Sequence, residues 1–450
     1  MENLIQKYNV PGPRYTSYPT VPFWNDKEFT KNAWIRSFQK TFQTTNHSEG
    51  ISLYIHLPFC ESLCTFCACH KHITKRHEME DPYIQTVLKE WELYTNLMNE
   101  IPVVKEVHLG GGTPTFFSPK NLQELMNGIL SKSIKHPDYE FSFEGHPNNT
   151  TREHLQALYD LGFTRVSFGV QDYNEKVQKA IHRVQPFKQV EKVTTLAREI
   201  GYTSISHDLV FGLPFQTKEC MIETIQKTKS LYPDRISFYS YAHVPWIKGV
   251  GQRGFQEIDL PRDEEKRELY EVGKDLLSEL GYIEIGMDHF SLPTDHLYTS
   301  TKAKKLHRNF MGYTAQKTSL MIGLGMSSIS DSWTGFAQNV KTIKEYQTLV
   351  NKGEIPVFRG HILSEKDRIV RTHILNLMCQ FETSWDSTLQ ELNINNSLLK
   401  ELEEDQLIII TPQKLKVLEK GQPFIRNVCM AFDAYLNENQ TTKERFSLTV

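Results

Sequence analysis

No stretch of the 450 residues approaches the roughly 18 to 20 consecutive apolar positions that a membrane span requires, so no transmembrane helix is expected. The opening MENLIQKYNVPGPRY lacks the apolar centre of a secretory signal. Charge of one sign is missing as well. Lys plus Arg number 51 against 54 Asp plus Glu, a net charge of −3, which leaves no global basic field to hold nucleic acid or an anionic bilayer. Any anionic ligand must therefore be gripped by local charge. Cysteine is sparse: seven in all, an odd number that argues against a disulfide framework and for a reducing compartment in which thiolates serve as metal ligands. No low-complexity tract is present. What is present, 39% hydrophobic and 23% charged residues, lies in the range of soluble globular proteins. At about 150 residues per domain the length suggests roughly three units. A cytoplasmic, monomeric enzyme is expected.

Pro11, Pro13, Pro19 and Pro22 interrupt any regular pattern in residues 1–50, which read as an extended arm that covers the active site, with one short helix over 31–41. From Ile51 a rhythm begins. Short apolar or alternating runs at 51–57, 104–109, 139–144, 164–169, 204–210 and 235–241 read as strands. Between them stand helix-patterned stretches such as 81–98 and 186–201, the second closed by Gly201. Strand and helix alternating six times imply a parallel sheet with right-handed crossovers. The fold class is α/β: a partial (β/α)6 TIM-like barrel spanning 51–360 with its extension, which includes a helix over 263–280, a strand over 282–287 and the stretch GLGMSSISDSW. Residues 361–450 read as a small, mainly helical, winged-helix-like unit, with helices over 364–379 and 420–437 around the hairpin-like LIIITPQKLKVL. Its LLKELEEDQ is acidic where a nucleic-acid-reading surface would be basic, so no nucleic acid partner is expected.

Four of the seven cysteines fall within ten residues. Cys60, Cys64 and Cys67 form C-x-x-x-C-x-x-C directly after the first strand, and Cys69 follows. In barrel enzymes reactive groups sit on the loops after strand C-terminal ends. Three close thiolates suit an iron-sulfur cluster whose last iron stays open for a substrate. Structural zinc is the competing reading, completed in a cramped way by Cys69 with His70 or His72, although no second ligand pair stands elsewhere. Cys220, Cys379 and Cys429 are scattered and read as inert buried thiols. Gly110, Gly111 and Gly112 after the second strand leave room for close approach to a ligand, or form a flexible turn. Glu144, Gln171 and Asp208 stand at or near ends of later strands, where an acid serves either a ligand or a helix cap.

This pattern resembles the radical S-adenosylmethionine enzymes and, within them, the oxygen-independent coproporphyrinogen III oxidases. The likeness spans nearly the whole chain through RYTSYPT, GGGTPT, FGVQD, DLVFGLP, YAHVP, IGMDHF, LHRNF and IRNVCMAFDAYL. The fourth cysteine, Cys69, is similar to the oxidases and unlike the related haem chaperone. The resemblance implies a 4Fe-4S cluster on Cys60, Cys64 and Cys67, and two S-adenosylmethionine molecules. Tyr54, Gly111, Glu144, Ala242 and Ile329 would contact the first, and Phe66, Gly112, Thr113, Gln171, Arg183 and Asp208 the second. Cys69 would not ligate iron yet be needed for activity, in a catalytic or supporting role. Phe66 could equally pack the loop, and Arg183 could be a surface arginine on a helix. The implied reaction converts the ring A and B propionates of coproporphyrinogen III to vinyl groups by 5'-deoxyadenosyl radical hydrogen abstraction, giving protoporphyrinogen IX in porphyrin and haem biosynthesis. An electron donor for the cluster and an unknown electron acceptor are its further partners. A haem-binding chaperone and a haem-opening radical methyltransferase are the alternatives. The four substrate carboxylates need local cations, for which Arg14, His307 and Arg308 are candidates, each also readable as a surface ion-pair partner. Met311 and the pair Gly145-His146 depart from the family pattern.

Overall fold

The structure, a computed structural model, describes residues 2–244, 252, 254–386, 392–438 and 446–449. Pro245, the last residue of the YAHVP run, lies outside them. Six parallel strands carry the core: β1 (Ile51–Leu57), β2 (Val103–Gly111), β3 (Ile134–Gly145), β4 (Phe163–Gln171), β5 (Ser204–Phe211) and β6 (Arg235–Ser240). All six expected strands are present, and the third begins five residues earlier than its apolar pattern shows. The sheet continues through β7 (Ile283–Gly286), β8 (His289–Ser291), β9 (Met321–Leu324), β10 (Ile329–Asp331), β11 (Gly335–Asn339) and β12 (Val357–Ile362). Among the described residues its order is β12-β11-β10-β9-β1-β2-β3-β4-β5-β6-β8-β7, so it curves without closing. β9 runs parallel to β1, whereas β8 pairs antiparallel with β6.

Side-chain alternation divides each strand between two environments. Leu53, Ile55, Val107, Leu109, Phe141, Phe143, Val166 and Phe168 face outward and are fully buried under the helices, each worth about 1.5–3 kcal/mol. Tyr83, Ile84, Val87, Trp91 and Tyr94, spaced along one face of the helix Glu80–Thr95, cover part of that layer. Ser118, Thr151 and Thr217 cap the next helices by accepting backbone N–H groups three residues on, so each helix starts promptly after its turn. Gly201 ends the helix Phe187–Ile200 at φ +117, as expected for a glycine there.

The inner face is polar. At its floor Arg165 pairs with Glu140 at 3.1 Å and Arg235 with Asp295 at 2.7 Å. Above this floor Ser142, Ser167, Ser206 and Ser237 are small enough to leave a cavity of about 90 Å³, which His108, Glu144, Asp208, Tyr239 and Met311 also line.

The N-terminal segment departs from the expected arm. It holds a second helix, Glu2–Tyr8, and the expected one extends to Thr45. Tyr8, Tyr15 and Tyr18 belong to the core of the C-terminal unit, whose helices Glu365–Gln380, Asn396–Glu404 and Ile425–Phe432 surround a three-stranded antiparallel sheet. The single helix expected over 420–437 is broken. Pro423 restricts its first turn to a 3-10 helix over Glu419–Phe424, and Asp433 interrupts it by capping Leu436 N–H at 3.0 Å. The acidic stretch forms an amphipathic helix that buries Leu399 and Leu402 and leaves its acids outward.

Candidate active site

The loop after β1 folds back against its own strand. His72 N–H donates to Pro58 O at 2.8 Å, Thr74 N–H to Cys60 O at 2.9 Å, and the His56 Nε2–His70 O contact is 2.8 Å. Thr65 ties the loop across to the segment after β4, its backbone N–H donating to Ile181 O and its hydroxyl to Ala180 O. This double fastening turns Cys60, Cys64, Cys67 and Cys69 toward one cavity of about 310 Å³. Phe66, Gly111, Gly112, Thr113, Glu144, Gln171, Arg183 and Asp208 line the same cavity, so twelve of the fifteen residues that the resemblance assigns to the cysteine loop and its cofactors meet there. Tyr54, Ala242 and Ile329 stand outside its lining. Tyr54 lies parallel to His108, ring centroids 6.1 Å apart, and His108 Nε2 is 3.3 Å from Glu144 Oε1. Ala242 O accepts from Gln252, which also donates to Phe66 O. Ile329 packs beside Trp24 and Phe336.

The glycine run has a tighter purpose than ligand approach. A Cβ on Gly111, whose φ is +114, would meet the His56 ring at 2.7 Å, and one on Gly112 would meet Pro58 O at 2.6 Å. The space belongs to His56 of β1 and to Pro58 and Phe59 at the start of the cysteine loop, which pack on the backbone at the end of β2. The reading as a flexible turn fails for the same reason.

Arg183 is not on a helix; it follows the helix Glu175–Ala180 and reaches inward. Its Nη2 donates to Gly169 O at 2.6 Å and its Nη1 to Cys64 Sγ at 3.6 Å. Thr113 Oγ1 donates to Cys60 Sγ at 3.4 Å. Phe66 both lines the cavity and packs with Val177, Val210 and Tyr241. Gln171 holds φ +70, a conformation a side-chain-bearing residue adopts only where its surroundings enforce it.

Electrostatics separate the groups by burial and by neighbour. The neighbouring Cys67 and Cys69 thiols act on each other, which lowers the Cys67 thiol and raises that of Cys69. Burial pushes Cys60 up to about 11. Asp208 accepts from Ser167 Oγ at 2.9 Å, yet burial and then the Glu144 charge push its carboxyl up to about 6. His146, another lining residue, is held at about 2 by burial and then by Arg183. Sequence reasoning noted His146 only as a departure and passed over His108 and Lys71. The inward alternation of Glu106, His108 and Gly110 on β2 carried the signal for His108.

The donor set fits a cluster rather than a single ion. Among the described residues no three Cys, His, Asp or Glu side chains converge as ligands of one metal ion would, which disfavours the zinc reading. A cubane spreads three thiolates over three irons, and two of these sulfurs already face hydrogen-bond donors, as cluster sulfurs do.

Of the cationic candidates, Arg14 pairs with Asp288 at 2.7 Å and donates to Ser240 O at the C-terminal end of β6. Arg308 is buried, donates to Arg14 O and lies 4.5 Å from the Tyr313 ring centroid; His307 is buried and held at about 3 by that burial. None of the three lines the cysteine cavity. The departures Met311 and His146 each fall on a cavity wall.

The radical SAM superfamily model matches residues 54–228. An oxygen-independent coproporphyrinogen III oxidase of Helicobacter pylori strain J99 is 38% identical, covering 99% of this chain and 98% of that protein. That of Escherichia coli K12 is 35% identical, covering 99% and 98%. The solved structure of coproporphyrinogen III oxidase from Escherichia coli, described as a radical SAM enzyme, superposes with a TM-score of 0.89 at 34% identity, covering 97% of this chain and 99% of that one. With three cysteines opening on one cavity and relatives matched from end to end, this chain belongs to the oxygen-independent coproporphyrinogen III oxidase family of radical SAM enzymes.

Proposed function

We propose that the protein converts the ring A and ring B propionates of coproporphyrinogen III to vinyl groups without oxygen, giving protoporphyrinogen IX, and does so in the cytoplasm as a monomer. The observation that carries this reading is the convergence of C-x-x-x-C-x-x-C with Glu144, Arg183 and Asp208 on one cavity at the C-terminal ends of the strands. Cys60, Cys64 and Cys67 would hold a 4Fe-4S cluster. When bound, the cluster and S-adenosylmethionine supply a one-electron cleavage yielding a carbon-centred radical that takes hydrogen from a propionate β-carbon; carbon dioxide and one further electron then leave the substrate.

The remaining work falls to the chain. All six residues expected at a second S-adenosylmethionine, Phe66, Gly112, Thr113, Gln171, Arg183 and Asp208, line the cavity, which supports two molecules. Gly111 and Glu144 would meet the first on the β2 and β3 side, with Tyr54, Ala242 and Ile329 around it. Glu144 suits a cationic amino group and Arg183 a carboxylate. Cys69, which lines the same cavity as Cys67, acts as a supporting residue there. The arm, fastened to the end of β6 through Arg14, excludes water and oxygen from the cavity mouth.

Anaerobic incubation of cluster-loaded protein with a reductant, S-adenosylmethionine and coproporphyrinogen III is expected to form protoporphyrinogen with loss of two carbon dioxide molecules per substrate. Consumption of haem instead, or stoichiometric haem binding without turnover, would overturn the reading.

A further inference from the structure

Beside the cysteine loop lies a face of positive charge that the reaction leaves unused, of which Lys71 also lines the cysteine cavity while His70, Lys341, Phe358 and Arg359 stand outside it. Three parts of the chain build it: His70 and Lys71 directly after Cys69, Lys341 after β11, and Phe358 with Arg359 on the edge strand β12. Phe358 is 47% exposed, with Lys341 Nζ 5.9 Å and the Arg359 guanidinium 5.5 Å from its ring centroid. The turn before Lys341 is held near the cysteine loop: Val340 O accepts Ser327 N–H at 2.8 Å, Gly325 lies against His56 O, and His56 Nε2 is 2.8 Å from His70 O. After burial, the charges of Lys341, Arg359 and Lys71 all lower the His70 imidazole. The hydrogen-bond partners of Lys71 and Arg359 are neutral. Lys71 Nζ donates to Cys67 O and Cys69 O, and Arg359 Nε to Gln338 Oε1 at 2.8 Å. Asp26 is the acid whose charge reaches both Lys341 and Arg359.

We propose that this face docks a small acidic one-electron carrier protein, whose electron enters the cluster from the His70 side of the cysteine loop. The inference rests on the radical reading above, because each reductive cleavage draws one electron from outside the protein. In the docking step the carrier is oxidised by one electron and the cluster reduced by one, with no bond made or broken. An exposed aromatic ring flanked by arginine and lysine is the composition of an interface anchor, and the excess of Lys71, Lys341 and Arg359 over the acid Asp26 steers an acidic partner onto it. The anionic substrate is the weaker occupant. Lys341, Phe358 and Arg359 do not line the cavity that holds the cysteines, Glu144 and Asp208.

The test mixes anaerobic, cluster-loaded enzyme with flavodoxin hydroquinone and follows bleaching of the cluster against ionic strength. A parallel series uses photoreduced 5-deazariboflavin, a small neutral reductant. In Lys341→Glu/Arg359→Glu, reduction by flavodoxin is expected to slow by about tenfold or more and to lose its salt dependence. The milder Lys341→Gln/Arg359→Gln pair falls between. Reduction by deazariboflavin, iron content and the KM for coproporphyrinogen stay as in the unmodified enzyme. An unchanged flavodoxin rate, equal slowing with both reductants, or a raised KM for coproporphyrinogen would each overturn the proposal, the last by assigning the face to substrate carboxylates. If the unmodified enzyme accepts electrons yet forms no protoporphyrinogen, the proposed function fails while the docking comparison still stands.

Discussion

Gly112 illustrates how closely the cysteine loop and the second strand are packed. The atoms a Cβ would strike, Pro58 C and O at 2.6 Å and Phe59 O at 2.9 Å, are backbone and cannot swing aside as a side chain would. Gly112→Ala is therefore expected to displace the loop at a cost of about 1–3 kcal/mol and to lower iron and sulfide content more than it lowers the melting temperature. Cysteines should divide by position. Cys64→Ala is expected to abolish the brown absorbance and the activity together, because one thiolate ligand is lost. Cys379, buried and pushed up to about 12 by that burial, is far from nucleophilic; Cys379→Ala should leave absorbance and turnover nearly unchanged. The convergence of Cys60, Cys64 and Cys67 on one cavity was legible because their spacing keeps them within one loop. The reason for the glycines was not, since it lies in the neighbouring backbone.

Glu90 joins elements that the sequence leaves unrelated. On the helix Glu80–Thr95 it accepts Gly325 N–H at 2.8 Å and the Tyr346 hydroxyl at 2.6 Å with one oxygen, and Asn339 Nδ2 at 2.6 Å with the other. Tyr83 on the same helix donates to His56 O on β1 and accepts Met326 N–H. The glycine-rich stretch that leads to Ile329 is thereby pinned beside the cysteine strand. Burial raises the Glu90 carboxyl from 4.5 to about 7 despite these donors. Between those two values the folded chain binds the extra proton at Glu90, so the contribution of Glu90 to stability falls as pH rises from about 4.5 to about 7 and is level above it. The fall amounts to about 3 kcal/mol. In denaturant titrations across this range, Glu90→Gln is expected to remove most of that slope. The strands were readable from alternation, and most helices from their apolar faces. The break at Asp433 was not, because it depends on a cap and on a hydrogen bond from Tyr15 to the same side chain.

The two ends of the chain close the molecule together. Arg426, buried in the C-terminal unit, donates to Pro13 O at 2.9 Å, to Leu448 O at 2.7 Å and to Gly12 O, while burial holds its pKa down at about 9. Pro11 pairs with Leu448, and Tyr8 donates to Asp405 at 2.6 Å. Replacing the guanidinium leaves buried carbonyls without donors, at about 1–3 kcal/mol for each group left unsatisfied. Arg426→Met is therefore expected to open the N-terminal segment to protease before the barrel, with cluster absorbance retained and turnover reduced. Retained turnover with a cleaved segment would show that the segment does not guard the cavity. Reading residues 1–50 as an arm missed how much of it is core, because its tyrosines are apolar only in the company of a unit some 400 residues away.

Local information sufficed wherever the physics is local: a ligand set within one loop, period-two alternation along a strand, the 3.6 period of a helix face and a glycine ending it. Those patterns carried the α/β class, the six strands and the three cysteines that share one cavity. The contacts that complete the site obey a different rule. Arg183 reaches Cys64 across 119 residues, and Lys71, Lys341 and Arg359 share one face from three separate stretches. Strand order and loop closure bring such groups together, and nothing in the neighbouring sequence of any one of them encodes who its partner will be.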